Sequence, residues 1–257
     1  MMKGIIVASF GTTHKDTMER TIEAIENLII DEYPRYPVVR AFTSGVVIRR
    51  LREDQGLEVR NLKEALEFLH AKGVTDIYIQ PLHIIGGMEF EKVIRAARDF
   101  MKSTSGVIVR VGEPLLWKEK DYRRVAETIG KDMDLPLVLM GHGSRHSADS
   151  SYDRLIDSFK ELGHDKVFLG SVEGGKTLED VMGSLKGAEI HEVELRPFML
   201  VAGDHAKNDM ASDEDEDSWK RRLENEGLSV RIQMAPLGEM DEIQKMFITK
   251  LKEVLIS

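Results

Sequence analysis

The sequence contains no cysteine. That excludes disulfides, thiolate-ligated iron–sulfur clusters and zinc sites, and cysteine nucleophiles. A metal ion must then rely on His, Asp, Glu or backbone oxygen donors. Basic residues are outnumbered, 36 Lys and Arg against 45 Asp and Glu, for a formal charge of -9. A field of that sign repels phosphate backbones and argues against nucleic-acid partners. No apolar run approaches the ~18 residues of a membrane span. The run Gly4-Ile5-Ile6-Val7-Ala8 is too short for a secretory signal core, and it passes into Thr12-Thr13-His14-Lys15-Asp16 without a small-residue cleavage site. A cytoplasmic chain with no membrane partner is expected. Several motifs are missing as well. There is no Gly-x-x-x-x-Gly-Lys-[Ser/Thr] phosphate loop and no Gly-x-Gly-x-x-Gly after the first strand, and Gly141-His142-Gly143-Ser144 is not a Gly-x-Ser-x-Gly elbow.

What remains is enough for a packed core. The chain has 257 residues, 42% of them hydrophobic, which suits one large domain or two small ones. Short apolar runs alternate with helical periods. Ile5-Ile6-Val7-Ala8, Val38 to Phe42, Ile77 to Gln80 and Val107 to Val111 read as buried strands. Met18, Ile22, Ile25 and Ile29 share one helix face. Strands alternating with helices imply right-handed βαβ units and a parallel sheet.

The pattern then restarts. Met140-Gly141-His142-Gly143-Ser144-Arg145-His146 lines up with Ala8-Ser9-Phe10-Gly11-Thr12-Thr13-His14. Ser171-Val172-Glu173-Gly174 falls against Phe42-Thr43-Ser44-Gly45. Leu62, Leu66, Leu69, Ile77, Ile79 and Pro81 each have an apolar or proline partner 116 residues later, and Gly87 pairs with Gly203 at the same offset. Matched order and a constant offset point to internal duplication. The expected fold is α/β with two similar halves, 1–134 and 135–257. Each holds a four-stranded parallel sheet flanked by helices, and the active-site cleft lies between them. Ligands of such sheets bind beyond the carboxyl ends of the strands.

The repeat also makes the halves comparable at their strand ends. The first half offers Phe10, Ser44 and Glu89 where the second offers His142, Glu173 and His205. Two imidazoles and a carboxylate suit a borderline first-row divalent ion better than calcium or magnesium. Each also has a plain alternative: His142 as a turn residue between glycines, Glu173 as a charge at a helix N-terminus, His205 as the first residue of a helix. His83 ends a strand too, but its aligned partner is Met199, so pocket lining and ligation stay open. His14 and His146 align with each other further along the loop. The run Asp213 to Asp217 fits an EF-hand except that Ser218 stands where glycine is needed. The helical look of Trp219 to Leu223 favours acidic residues at a helix N-terminus.

Taken together, Ser9-Phe10-Gly11-Thr12, Arg40 to Gly45, Leu82-His83-Ile84-Ile85, Met140 to Gly143 and Met199 to Ala211 resemble the class II tetrapyrrole chelatases. The resemblance is closest to anaerobic cobalt chelatases of the CbiK type and covers essentially the whole chain. It implies two α/β halves and ATP-independent insertion of Co2+ into sirohydrochlorin, on the anaerobic route to cobalamin. No permanent cofactor is implied; the ion is a substrate, with Fe2+, Ni2+ or Zn2+ as alternatives, and some relatives form homo-oligomers. His142 and His205 match the family's metal-binding histidines, His142 also its proton acceptor, and Glu173 a cobalt-binding carboxylate. Glu89 is expected to assist proton removal or ion access. Phe10, Gly11, Thr12, Ser44, Leu82, His83 and Met88 are expected to bind the macrocycle, with Ile85 extending its apolar wall. Lys207, Arg145 and Arg49 are expected to meet its carboxylates. The alternatives are another metal or tetrapyrrole on the same fold, or a non-catalytic binding protein.

Overall fold

Strand β1 (Met2–Ser9) is buried from Gly4 to Ser9 without alternation. A strand covered on both faces must sit inside a sheet with helices above and below. That is its place in the computed structural model, which describes residues 2–256. The chain continues through α1 (Lys15–Met18), a π-helical stretch over Glu19–Glu23, α2 (Ala24–Glu32), β2 (Val38–Phe42), α3 (Gly45–Gln55), β3 (Arg60–Asn61) and α4 (Leu62–Ala71). It then forms β4 (Val74–Pro81), α5 (Met88–Ser103), β5 (Ile108–Val111), α6 (Glu119–Gly130), β6 (Leu137–Gly141) and α7 (Ser151–Glu161). The last elements are β7 (Val167–Ser171), α8 (Leu178–Gly187), β8 (Glu192–Phe198), a π-helical turn over His205–Met210, α9 (Trp219–Asn225), β9 (Ser229–Ile232) and α10 (Asp241–Ile256).

Two compact units result. The first runs up to Leu115 and takes back the chain from Asp241 onward; the second runs from Leu116 to Met240. The expected halves, 1–134 and 135–257, share these sheets but differ in two helices. Helix α6 packs on α7 in the second unit, and α10 packs on β4 and α2 in the first. Ile243, Met246, Phe247 and Leu251 bury the inner stripe of α10, and Lys250 reaches Glu113 at 3.7 Å. Periodicity located this stripe but carries no information about which sheet it covers.

Both sheets are parallel, ordered β3-β2-β1-β4-β5 and β7-β6-β8-β9. The first therefore has five strands rather than the expected four. The extra one, β3, is only Arg60 and Asn61, paired with Ala41 and Phe42, too short to leave an apolar pattern. In each sheet the first strand of the repeat is central, so its carboxyl end lies between two others.

The duplication extends to the caps. Asn61 and Glu64 close a capping box at the start of α4, and Thr177 and Asp180 close another, 116 residues on, at the start of α8. Each exchanges side-chain and backbone bonds that satisfy otherwise orphaned N–H groups. The acidic run also resolves as expected. Ser218, not a calcium-loop glycine, caps α9 by accepting from Arg221 N at 3.3 Å, and Asp213 pairs with Lys220.

Candidate functional site

The second sheet builds the site from its central strand. β6 ends at Gly141, where a Cβ would stand 3.2 Å from the Tyr152 ring, so the close packing of α7 on the strand needs a glycine. The ladder to β7 persists past the strand ends, with Val172 N donating to Gly141 O at 3.1 Å and Glu173 N to His142 O at 2.8 Å. These bonds set the Glu173 backbone beside that of His142. Gly143 then turns the chain at φ +78, and a Cβ there would meet Gly174 N at 2.4 Å and Ser171 Oγ at 2.6 Å. Only glycine fits both the dihedral and the space.

His205 arrives from β8 by way of the π-helical turn, whose Ala206 and Met210 are buried. Its ring meets the His142 ring edge to face, with centroids 4.9 Å apart and planes at 89°. The nitrogens are sorted by their neighbours. His142 Nδ1 lies 3.2 Å from Gly143 O, and His205 Nδ1 lies 2.5 Å from Asp209 Oδ2. A carbonyl and a carboxylate accept, so each Nδ1 donates and each Nε2 keeps its lone pair. An oxygen partner on one ring nitrogen and a lone pair on the other is the usual setting of a metal-binding histidine.

Glu173 is less settled. Its Oε2 lies 4.0 Å from His142 Nδ1, and its side chain is 60% exposed. Among the described residues no three His, Asp or Glu side chains close on one point. The structure thus unites His142 and His205 and leaves Glu173 within a side-chain rotation of them. A cavity of about 420 Å3 opens beside Glu173, lined by Arg145, His146 and Asp149 among others. Asp149 organises its wall, accepting from Ser144 N at 3.0 Å and Gly175 N at 2.9 Å. His146 accepts from Ala148 N at 3.1 Å and caps the turn that follows. Lys207 is exposed on the turn of His205, and Arg49 is exposed on α3 in the first unit.

The first unit offers a different set. Phe10 and Met88 follow the carboxyl ends of adjacent strands and are 43% and 58% exposed, apolar surface that a flat ligand can cover. Gly11 repeats the dihedral of Gly143, with φ +95 and the Phe42 ring against it. Thr12 is buried and accepts from His14 N at 3.2 Å. Ser44 caps α3, accepting from Val47 N at 3.3 Å. Leu82 is buried in the body of the unit, so it supports a ligand surface rather than forming it. His83 is buried, and neither ring nitrogen has a hydrogen-bond partner. Burial holds its imidazole down to a pKa of about 4, with Glu89 opposing and Lys92 adding to the shift. Glu89 opens α5; its Oε1 takes Lys92 Nζ at 2.6 Å, while its Oε2 is buried without a partner.

Asp209 is the functional residue the sequence reading missed. Its signal was His205-x-x-x-Asp209, a spacing that puts both side chains on one helical face.

The family model described as Cobalt chelatase (CbiK) matches residues 3–256. The sirohydrochlorin cobaltochelatase of Salmonella typhimurium is 37% identical over 99% of this chain and 97% of its own. Sirohydrochlorin cobaltochelatase CbiKC of Nitratidesulfovibrio vulgaris is 32% identical over 88% of this chain and 81% of its own. Among solved structures, SirB from Bacillus subtilis with Fe3+ superposes with a TM-score of 0.67 at 16% identity, over 99% of this chain and 96% of that one, a likeness of fold.

Proposed function

The chain belongs to the cobalt chelatase (CbiK) family, and from that premise we propose that it inserts Co2+ into sirohydrochlorin without ATP. The ion and the tetrapyrrole are its two substrates, and no permanent cofactor takes part. The observation that carries the reading is the pair of Nε2 lone pairs left on His142 and His205 by the oxygens at their Nδ1 atoms. Two neutral imidazoles bind a first-row divalent ion well, and they release it more readily than a closed four-donor cage. Glu173, on its exposed side chain, rotates to supply the third donor. Holding the ion at a fixed place turns a slow encounter into a positioned transfer.

Insertion replaces the remaining water on the ion with four pyrrole nitrogens and displaces two protons. Phe10 and Met88 present apolar surface for the macrocycle. Arg145, beside the cavity next to Glu173, and Lys207 meet its carboxylates. The reading includes a cytoplasmic setting and no nucleic-acid partner. Among the described residues no helix is long and apolar enough to cross a membrane. Self-association is expected on the resemblance and is measured by sedimentation.

The test is direct. Pure protein is mixed with sirohydrochlorin and Co2+, Fe2+, Ni2+ or Zn2+, and the absorbance is followed against a protein-free control. Acceleration greatest with Co2+ is expected. Acceleration with another ion alone reassigns the metal, and none with any ion leaves a non-catalytic binder.

A further inference from the structure

A neutral imidazole has one lone pair. When Nε2 of His142 or His205 holds the ion, and Nδ1 already carries a proton toward Gly143 O or Asp209 Oδ2, neither ring has a lone pair left to accept a proton. Yet forming two bonds from Co2+ to pyrrolic nitrogen breaks two N–H bonds. The proton acceptor must therefore be sought among other groups.

His83 stands out for two reasons. It is 9% exposed at the carboxyl end of β4, and both of its ring nitrogens lack a hydrogen-bond partner. Buried polar groups are nearly always paired, and an unpaired one needs a reason. Close by in the chain, Glu89 also keeps one carboxylate oxygen, Oε2, buried and unpartnered, while Lys92 holds the other. The backbone fixes the location, since Leu115 N donates to His83 O at 2.9 Å. An unpaired donor, an unpaired acceptor and a second unpaired acceptor on a carboxylate form a ready receiver for an N–H group.

We propose that His83, with Glu89 as its partner, accepts the protons that metal insertion displaces from the tetrapyrrole. This rests on the chelatase reading above and moves the base away from His142. The step balances without an oxidant or reductant. A pyrrole N–H breaks and its electron pair goes to the Co2+–N bond. The proton forms an N–H on the free nitrogen of His83, and the opposite ring nitrogen passes its own proton to Glu89 and on to water. The second proton follows the same path, so two leave for each ion inserted. Burial keeps the imidazole neutral through the physiological range, so its lone pair is present whenever the substrate arrives.

His83→Met, which installs the residue found at the aligned Met199, and His83→Gln test this. Co2+ affinity is measured with the metal alone, sirohydrochlorin affinity by fluorescence quenching, and insertion by absorbance, alongside the melting temperature. Both variants are expected to bind each substrate within threefold of wild type and to melt no lower. Their kcat is expected to fall 10²–10⁴-fold, the range for loss of a general base, with KM unchanged. A kcat within threefold of wild type overturns the assignment. So does a tenfold loss of Co2+ affinity, which would make His83 a ligand, or a lowered melting temperature in both variants, which would make it structural. A wild-type protein that binds both substrates without converting them overturns the chelatase reading itself. A converting wild type with equally fast variants overturns only the role of His83.

Discussion

His142 meets His205 at 89°, with ring centroids 4.9 Å apart, and the Nδ1 of each ring is turned to an oxygen, the Gly143 carbonyl and the Asp209 carboxylate respectively. The pair is thus locked in one tautomer before any ion arrives. His142→Ala is expected to abolish insertion and to weaken Co2+ binding while the far-ultraviolet circular dichroism stays unchanged. Near-normal insertion would remove His142 from the site. Asp209→Asn leaves both rings in place but loosens the orientation of His205. A 10–100-fold loss of Co2+ affinity is expected, the usual effect of removing an outer-shell partner. Isothermal titration of the apoprotein reads both variants.

Gly143 is where backbone geometry and site geometry coincide. Alanine there would adopt φ +78 with its Cβ 2.4 Å from Gly174 N. Such strain costs about 1–3 kcal/mol before any clash relaxes. Gly143→Ala is expected to lose at least that much stability in urea and, because the turn sets His142 against Glu173, to lose Co2+ affinity as well. Gly163, at φ +83 with nothing within 4 Å, is the control. Gly163→Ala should cost about 1 kcal/mol and leave metal binding untouched. Equal effects of the two on the metal would refute the link.

Much of this was legible in the sequence because it was written twice. The restart at Gly141-His142-Gly143 and the constant offset from α4 to α8 identified the central strands and their carboxyl ends. They also selected His142, Glu173 and His205 before any coordinates. What the sequence could not show was geometry acting across elements. Two residues of β3 carry no period, and the apolar stripe of α10 does not say that it returns to β4. Asp209 was invisible as a partner because the π-helical turn that aims it at His205 has no pattern of its own. The orphaned nitrogens of His83 depend wholly on tertiary packing.

The repeat also exposes a flaw in one copy. Gly73 follows α4 at φ +84, in the left-handed region that glycine reaches freely. The residue 116 positions later is Glu189, at φ 53, the one non-glycine residue with positive φ among those described. A side chain there carries about 1 kcal/mol of strain. Glu189→Gly, which copies the first unit, is expected to raise stability by about 0.5–1 kcal/mol in urea without changing insertion. Gly73→Ala is expected to cost a similar amount. A destabilising Glu189→Gly would mean that the glutamate makes a compensating contact.

Acid should expose His83. Its folded pKa is about 4 against an ordinary 6.5, because burial disfavours the imidazolium more than Glu89 supports it, with Lys92 adding to the penalty. The folded state therefore binds fewer protons than the unfolded chain between these values. The sign follows: stability is fully present above pH 6.5 and is lost as pH falls toward 4. The full difference of about 2.5 units corresponds to roughly 3 kcal/mol. In His83→Met this contribution is missing, while every other titrating group remains. The melting temperature of the variant minus that of wild type should then widen by several degrees between pH 7 and pH 4.5. Parallel melting curves across that range would show that His83 is solvated and paired in solution, and would leave its nitrogens no special availability for a substrate proton.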